Sequence, residues 1–268
     1  MRASFSSLFR LPVAVALTTA TLLGGCATPP TDPDELALYK ENNDPLEPTN
    51  RYFFEVNYGL DELLFKPIAS WYHLLLPAPA ERGVHNFVTN LNSPVIFAND
   101  LMQGNVHNAG VTAKRFLINS TVGVGGILDV AADFDLKHHD VDFGETLAIW
   151  GTGEGPYLVV PLLGPSNPRD LAGFGVDAAI DPWGYLLPGH LQYLNYTRAG
   201  VQAVDIRARN LETLEQIRKG ALDYYATIRS LYRQHRNDEI RSLKEGDKSA
   251  SAVLPSETAT PAQLSQGY

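Results

Sequence analysis

The chain has 268 residues and one cysteine, with 21 Lys and Arg against 30 Asp and Glu for a formal net charge of −9. That length permits one domain with a sizeable core, and a lone cysteine excludes an intramolecular disulfide and any cysteine-based metal cluster. The acidity argues against nucleic acid as a partner, because phosphate backbones are repelled.

Charge is uneven along the chain. Residues 26–194 hold 8 basic and 21 acidic side chains, and residues 195–245 hold 10 basic and 7 acidic.

Residues 1–25 read as a signal peptide. Arg2 and Arg10 precede an apolar stretch, 11–23, that is too short to span a bilayer. It ends in Leu23-Gly24-Gly25-Cys26, which reads as a lipobox. Lipid attachment needs a sulfur to form the thioether, so Cys26 is the predicted anchor. Ala27 follows in place of an aspartate, which favours the outer membrane. Residues 26–43, rich in Pro, Thr and acids, are expected to form a tether.

Asp44-Pro45-Leu46-Glu47 has the pattern of a helix start, with a cap, a first-turn proline and a capping-box glutamate. A helix is predicted over 51–66, where Phe53, Val56, Leu60, Leu63 and Leu64 share a face, and Pro67 is expected to stop it. Short helices are predicted at 67–76, 82–90, 94–103, 107–119 and 125–132, with Pro94 opening one behind Ser93. Residues 133–146 read as a polar loop. Residues 167–188 carry turn signals. Apolar residues at three- and four-residue steps predict one amphipathic helix over 196–243, or two broken near Gly220. Residues 246–268 have the composition of a disordered tail. The folded domain is therefore placed at 44–245.

Candidate chemistry is sparse. His138-His139-Asp140 with Asp142 and Glu145 is the one metal-like cluster, but it lacks a helical His pair, and a solvated loop is the simpler reading. Gly151-Thr152-Gly153-Glu154-Gly155 resembles a nucleotide loop only superficially. Pro156 and an apolar run follow it where a helix N-terminus should meet the phosphates. No Gly-x-Ser-x-Gly elbow is present, and nothing gives positive reason to expect an enzyme or a cofactor. Lys114-Arg115 and Arg169-Asp170 stand out where basic residues are scarce. They read either as structural ion pairs or as contacts for a lipid phosphate. Phe53, Phe54 and Trp71 read either as core or as side chains facing acyl chains.

Residues 44–51, Asp44-Pro45-Leu46-Glu47-Pro48-Thr49-Asn50-Arg51, resemble the opening of the MlaA (VacJ) family of lipoproteins. Phe54, Asn57, Asp61, Lys66-Pro67, Arg115-Phe116, Asn119 and Asp142-Phe143-Gly144 continue the resemblance, as do Gly151, Gly153, Gly155-Pro156-Tyr157 and Arg169-Asp170. The resemblance implies a mostly α fold, a ring of short amphipathic helices with a long C-terminal helix. It implies a protein that removes misplaced phospholipid from the outer leaflet of the outer membrane. The lipid would pass through an amphipathic channel to a soluble periplasmic lipid carrier, in association with a trimeric outer-membrane porin. On this reading Asn50, Phe53, Phe54, Asn57, Asp61, Lys66, Arg115, Asn119, Phe143, Gly151, Gly153, Gly155, Tyr157, Arg169 and Asp170 are family-motif residues and candidates for the lipid path. The competing readings are a structural lipoprotein bracing the envelope on porins, and a lipid-modifying enzyme.

Overall fold

The computed structural model describes residues 29–191 and 193–245. The signal peptide, the lipidation site Cys26 and the tail 246–268 lie outside the described residues.

The architecture is mostly α, as the resemblance implies. Within the segment expected to be a tether, Pro33–Asn42 is a helix (α1), capped by Asp32 and ended by Asn43 in the left-handed region at φ 50. Glu47–Leu60 (α2) runs through a π-helical turn, Asp61–Phe65, into Lys66–Leu75 (α3). Pro67 was expected to stop the helix, and it does not. Pro67 lacks the N–H that would reach back four residues, and the chain absorbs the loss by widening one turn.

Ala78–Met102 (α4) is a single helix of 25 residues with Pro94 inside it. The break expected at Pro94 does not occur. Buried positions Val88, Ser93, Ile96 and Asn99 continue across the proline, and their packing outweighs its local cost of about 3 kcal/mol. Gly104 at φ 77 turns the chain into Val106–Thr121 (α5), which packs along α4.

Residues 125–132 are not a regular helix. They form turns leading into a 3-10 segment, Val130–Phe134. Gly125 and Gly126 adopt φ 72 and 97, and a side chain at Gly126 would strike Asn90 at 2.5 Å.

The polar loop ends early. Phe143–Ile149 (α6) starts with a full capping box: Glu145 N–H donates to Asp142 at 2.8 Å, and Asp142 N–H donates to Glu145 at 3.1 Å. A two-stranded antiparallel hairpin follows, Leu158–Val160 (β1) with Gly164–Ser166 (β2), pairing Val159 opposite Pro165.

Residues 167–188, expected to be turns, contain Pro168–Ile180 (α7), capped by Asn167, and the short Trp183–Leu186 (α8). Gly173 of α7 lies so close to α6 that a Cβ there would sit 2.3 Å from Gly144 N. The C-terminal part is three helices: Tyr193–Arg209 (α9), Leu211–Gly220 (α10) and Tyr224–Glu245 (α11). The long amphipathic run is thus broken at Asn210 as well as near Gly220. Helix α9 packs on α3 and α4, and α11 packs on α6 and β2.

Candidate functional site

Asn50 and Asn57 lie seven residues apart and project from one side of α2, and Asn43 sits seven residues earlier, where α1 ends. Together they hold the chain around β1. Asn43 Nδ2 donates to Gly155 O at 2.6 Å, and Tyr157 N–H donates to Asn43 O at 2.8 Å. Asn50 Nδ2 donates to Tyr157 O at 3.0 Å while its Oδ1 accepts from Val159 N–H at 2.9 Å. Asn57 repeats the pattern with Val160 O at 2.9 Å and Leu162 N–H at 2.8 Å. An amide side chain offers one acceptor and donors, so it can stand in for a neighbouring strand.

Behind this ladder, Phe54, Tyr157, Val159 and Tyr225 form the buried apolar cluster, with Phe53 packed at its edge. Trp71 is exposed.

Two arginines tie α11 to distant parts of the chain. Arg229 donates to Asp44 at 2.7 Å, and Asp44 also accepts from Asn50 at 2.7 Å and from the Tyr225 hydroxyl. Asp44 is therefore not the helix cap that the sequence pattern suggested, since α2 starts behind Leu46. Arg236 meets four carboxylates: Asp142 at 2.7 Å, Asp170 at 3.0 Å, Glu145 at 3.2 Å and Glu239 at 3.3 Å. Burial pushes the Asp170 carboxyl up, but Arg236, Tyr232 and Arg169 outweigh it and hold it below the usual range. Glu145 is nearly inaccessible, and burial pushes it up to about 8 against the pull of Arg236. Arg169 pairs with Asp170 at 2.9 Å.

The remaining motif residues also make structural contacts. Asp61 takes a two-point contact from Arg207 at 2.6 and 2.8 Å, and Lys66 reaches Glu62 at 2.7 Å and Glu215 at 3.4 Å. These pairs join α2 and α3 to α9 and α10. Arg115 grips Asp129 through two 2.9 Å bonds, and Asn119 binds Asp129 and Ala131 N–H, each at 2.9 Å, which fixes the loop after α5. Phe143 stacks edge-on against Trp150. Gly151 and Gly155 take φ 96 and 73, and at Gly153 a Cβ would meet nothing within 4 Å.

His139 was expected in a solvated loop. It instead bonds the fully buried Asp100 at 2.9 Å, while His138 bonds Asp140 at 3.0 Å. Among the described residues no group of three or more His, Cys, Asp or Glu side chains is arranged to hold a metal.

The structure brings Asn50, Asn57, Phe54 and Tyr157 together, and Phe143 next to the Arg169–Asp170 network. Of the motif residues only Asp142 reaches a second region, a cleft beside α6. That cleft has a volume of about 600 Å³ and opens between α4, α6, α7, α9 and α11. Val95, Ile96, Val141 and Phe174 give it apolar walls. Asp140, Asp142, Glu145, Asp177, Asp181 and Glu239 line it against only two arginines, Arg198 and Arg236. Burial also raises the Asp177 carboxyl.

The buried set is richer in polar side chains than in apolar ones. Among the described residues, eighteen polar or charged side chains are buried against thirteen apolar ones, and 31 large apolar side chains are exposed. Trp71, Leu74 and Leu75 of α3, with Leu63 of the π-helical turn before it, are among them. Large exposed apolar patches mark contact with lipid or protein. No described helix is long and apolar enough to cross a membrane.

The family model for the MlaA lipoprotein matches residues 42–239. The intermembrane phospholipid transport system lipoprotein MlaA of Haemophilus influenzae is 37% identical over 236 residues, covering 87% of this chain and 91% of that protein. Its Escherichia coli counterpart is 32% identical, covering 85% and 87%. An uncharacterized protein of Rickettsia bellii is 34% identical over 76% of this chain and 80% of its own length. A solved chain, from work on the structural basis for maintenance of bacterial outer membrane lipid asymmetry, superposes with a TM-score of 0.62 at 31% identity. The match covers 74% of this chain and 98% of that one.

Proposed function

We propose a function from one premise: the chain belongs to the MlaA lipoprotein family. The protein is a lipoprotein of the cell envelope that moves phospholipid between membranes and so maintains outer-membrane lipid asymmetry. It sits at the outer membrane, held by lipid on Cys26 and by its exposed apolar helix faces. It withdraws misplaced phospholipid from the outer leaflet and releases it toward a soluble periplasmic carrier, working beside a trimeric porin. It transfers lipid without transforming it.

The observation that carries this reading is the pairing of exposed apolar side chains with buried charged ones. Many large apolar side chains face outward, and charged groups are buried around a cleft with apolar walls. A two-tailed lipid with a charged headgroup needs both surfaces. The lipid path runs along this cleft, and the motif residues act mainly as the frame that shapes it. Gly151, Gly153 and Gly155 lie where the chain enters the hairpin, and they let that segment shift during transfer.

The test is deletion of the gene, with surface-exposed phospholipid measured and intact or Cys26→Ala protein reintroduced. Surface phospholipid should rise on deletion and return to baseline only with the lipidatable form. No rise in a strain without a redundant pathway would leave a structural lipoprotein as the better account.

A further inference from the structure

We propose that the cleft selects zwitterionic aminophospholipid headgroups over anionic ones, an inference that rests on the lipid-transfer reading and extends it to the substrate class. The six carboxylates on the cleft wall outnumber the two arginines, for a formal excess of four negative charges. With Glu145 protonated the excess is still three. A headgroup with net negative charge meets like charge there, away from bulk water. A headgroup that ends in an ammonium meets opposite charge at the same place.

The two arginines have different capacities. Arg236 is committed to Asp142, Glu145, Asp170 and Glu239, so it has little left to offer a ligand. Arg198 holds Asp181 with Nη2, and its Nη1 is a buried donor left without a hydrogen-bond partner. A guanidinium with a free N–H matches phosphate geometry. The phosphodiester common to all these lipids is therefore assigned to Arg198. The ammonium is assigned to Asp142 and Glu239, whose side chains remain 46% and 29% exposed. Phosphatidylethanolamine fits both assignments. Phosphatidylglycerol satisfies only the first and brings uncompensated charge.

The test uses the full lipidated protein, purified in mild detergent and incubated with vesicles of equal parts phosphatidylethanolamine and phosphatidylglycerol. Bound lipid is extracted and quantified by mass spectrometry. Phosphatidylethanolamine should exceed phosphatidylglycerol by at least about fivefold, the ratio set by about 1 kcal/mol. Glu239→Gln should narrow that ratio toward one. Arg198→Gln should lower capture of both lipids, and Arg198→Lys should restore part of it. Glu239 is a partly exposed side chain, so its variant keeps the test decisive if Arg198→Gln fails to fold. Equal capture of the two lipids, or an excess of phosphatidylglycerol, overturns the selectivity while the transfer reading stands. Capture of neither lipid overturns the transfer reading as well.

Discussion

Replacing Asn50 by alanine tests whether the amide ladder holds the hairpin. Asn50 is 2% exposed and makes three hydrogen bonds, to Asp44 at 2.7 Å, Tyr157 O at 3.0 Å and Val159 N–H at 2.9 Å. Alanine removes all three. Asp44 keeps Arg229 and Tyr225, so its loss is partial. The backbone groups of Val159 and Tyr157 are left in a site that water does not reach, and stranding such groups costs about 1–3 kcal/mol each. We expect a total of about 3 kcal/mol. For a chain of this size that lowers the melting temperature by about 6–12 °C. Asn57→Ala is the control. Asn57 makes two comparable bonds, but they lie nearer the surface, where water replaces the lost partner, and about 1 kcal/mol is expected. The assay is thermal unfolding of the detergent-solubilised protein by circular dichroism. An Asn50→Ala protein within about 0.5 kcal/mol of wild type, or an Asn57→Ala protein that suffers as much, would refute the reasoning.

Arg236→Met should destabilise by about 3–5 kcal/mol, read by the same melt, because it leaves several buried carboxylates without their cation. Asp223 is bonded by Arg51 at 2.6 Å and held at about 2, below the unfolded value of about 3.9. A depressed carboxylate contributes stability above its unfolded pKa and loses it as pH falls through the folded one. The melting temperature should therefore drop between pH 4 and pH 2, and Asp223→Asn should make that drop shallower. Gly173→Ala should force α6 and α7 apart at a cost of about 1–3 kcal/mol, measured by chemical unfolding, since its Cβ would meet backbone at 2.3 Å. Gly153→Ala meets nothing within 4 Å, so its melting temperature should match wild type. If glycine flexibility serves transfer, that same variant should slow lipid movement, and unchanged transfer would remove the glycine run from the mechanism.

Local rules carried much of the fold. The periodicity of Phe53, Val56 and Leu60 placed α2, and the step pattern after 196 placed the C-terminal helices. The same rules failed where a distant partner decided the outcome. Asp44 looked like a helix cap, but its partner Arg229 lies 185 residues away. The genuine capping box, Asp142 with Glu145, has the same spacing but lies in a segment whose polarity predicts a loop. Ser93-Pro94 has the pattern of a helix start, yet α4 continues across it on a buried stripe that includes Ser93 and Asn99, which hydropathy counts as polar. The cleft was least legible. Arg236 shares the buried stripe of α11 with Tyr225 and Ile240, where periodicity predicts an apolar side chain rather than a cation. The one signal was the charge imbalance between the two parts of the chain: an acidic body needs cations, and the C-terminal helices supply them.

The asparagine ladder also closes an edge. A two-stranded hairpin normally leaves both outer rows of backbone groups free to template a strand from another chain. On the β1 side the amides of Asn50 and Asn57 already occupy Tyr157 O, Val159 N–H and Val160 O. These are side chains of a helix, so they cannot propagate the pairing further. A short apolar segment in an envelope crowded with exported, partly folded chains is thereby kept from recruiting a neighbour. The hydrogen bonds that shape the domain also keep it from aggregating along that side.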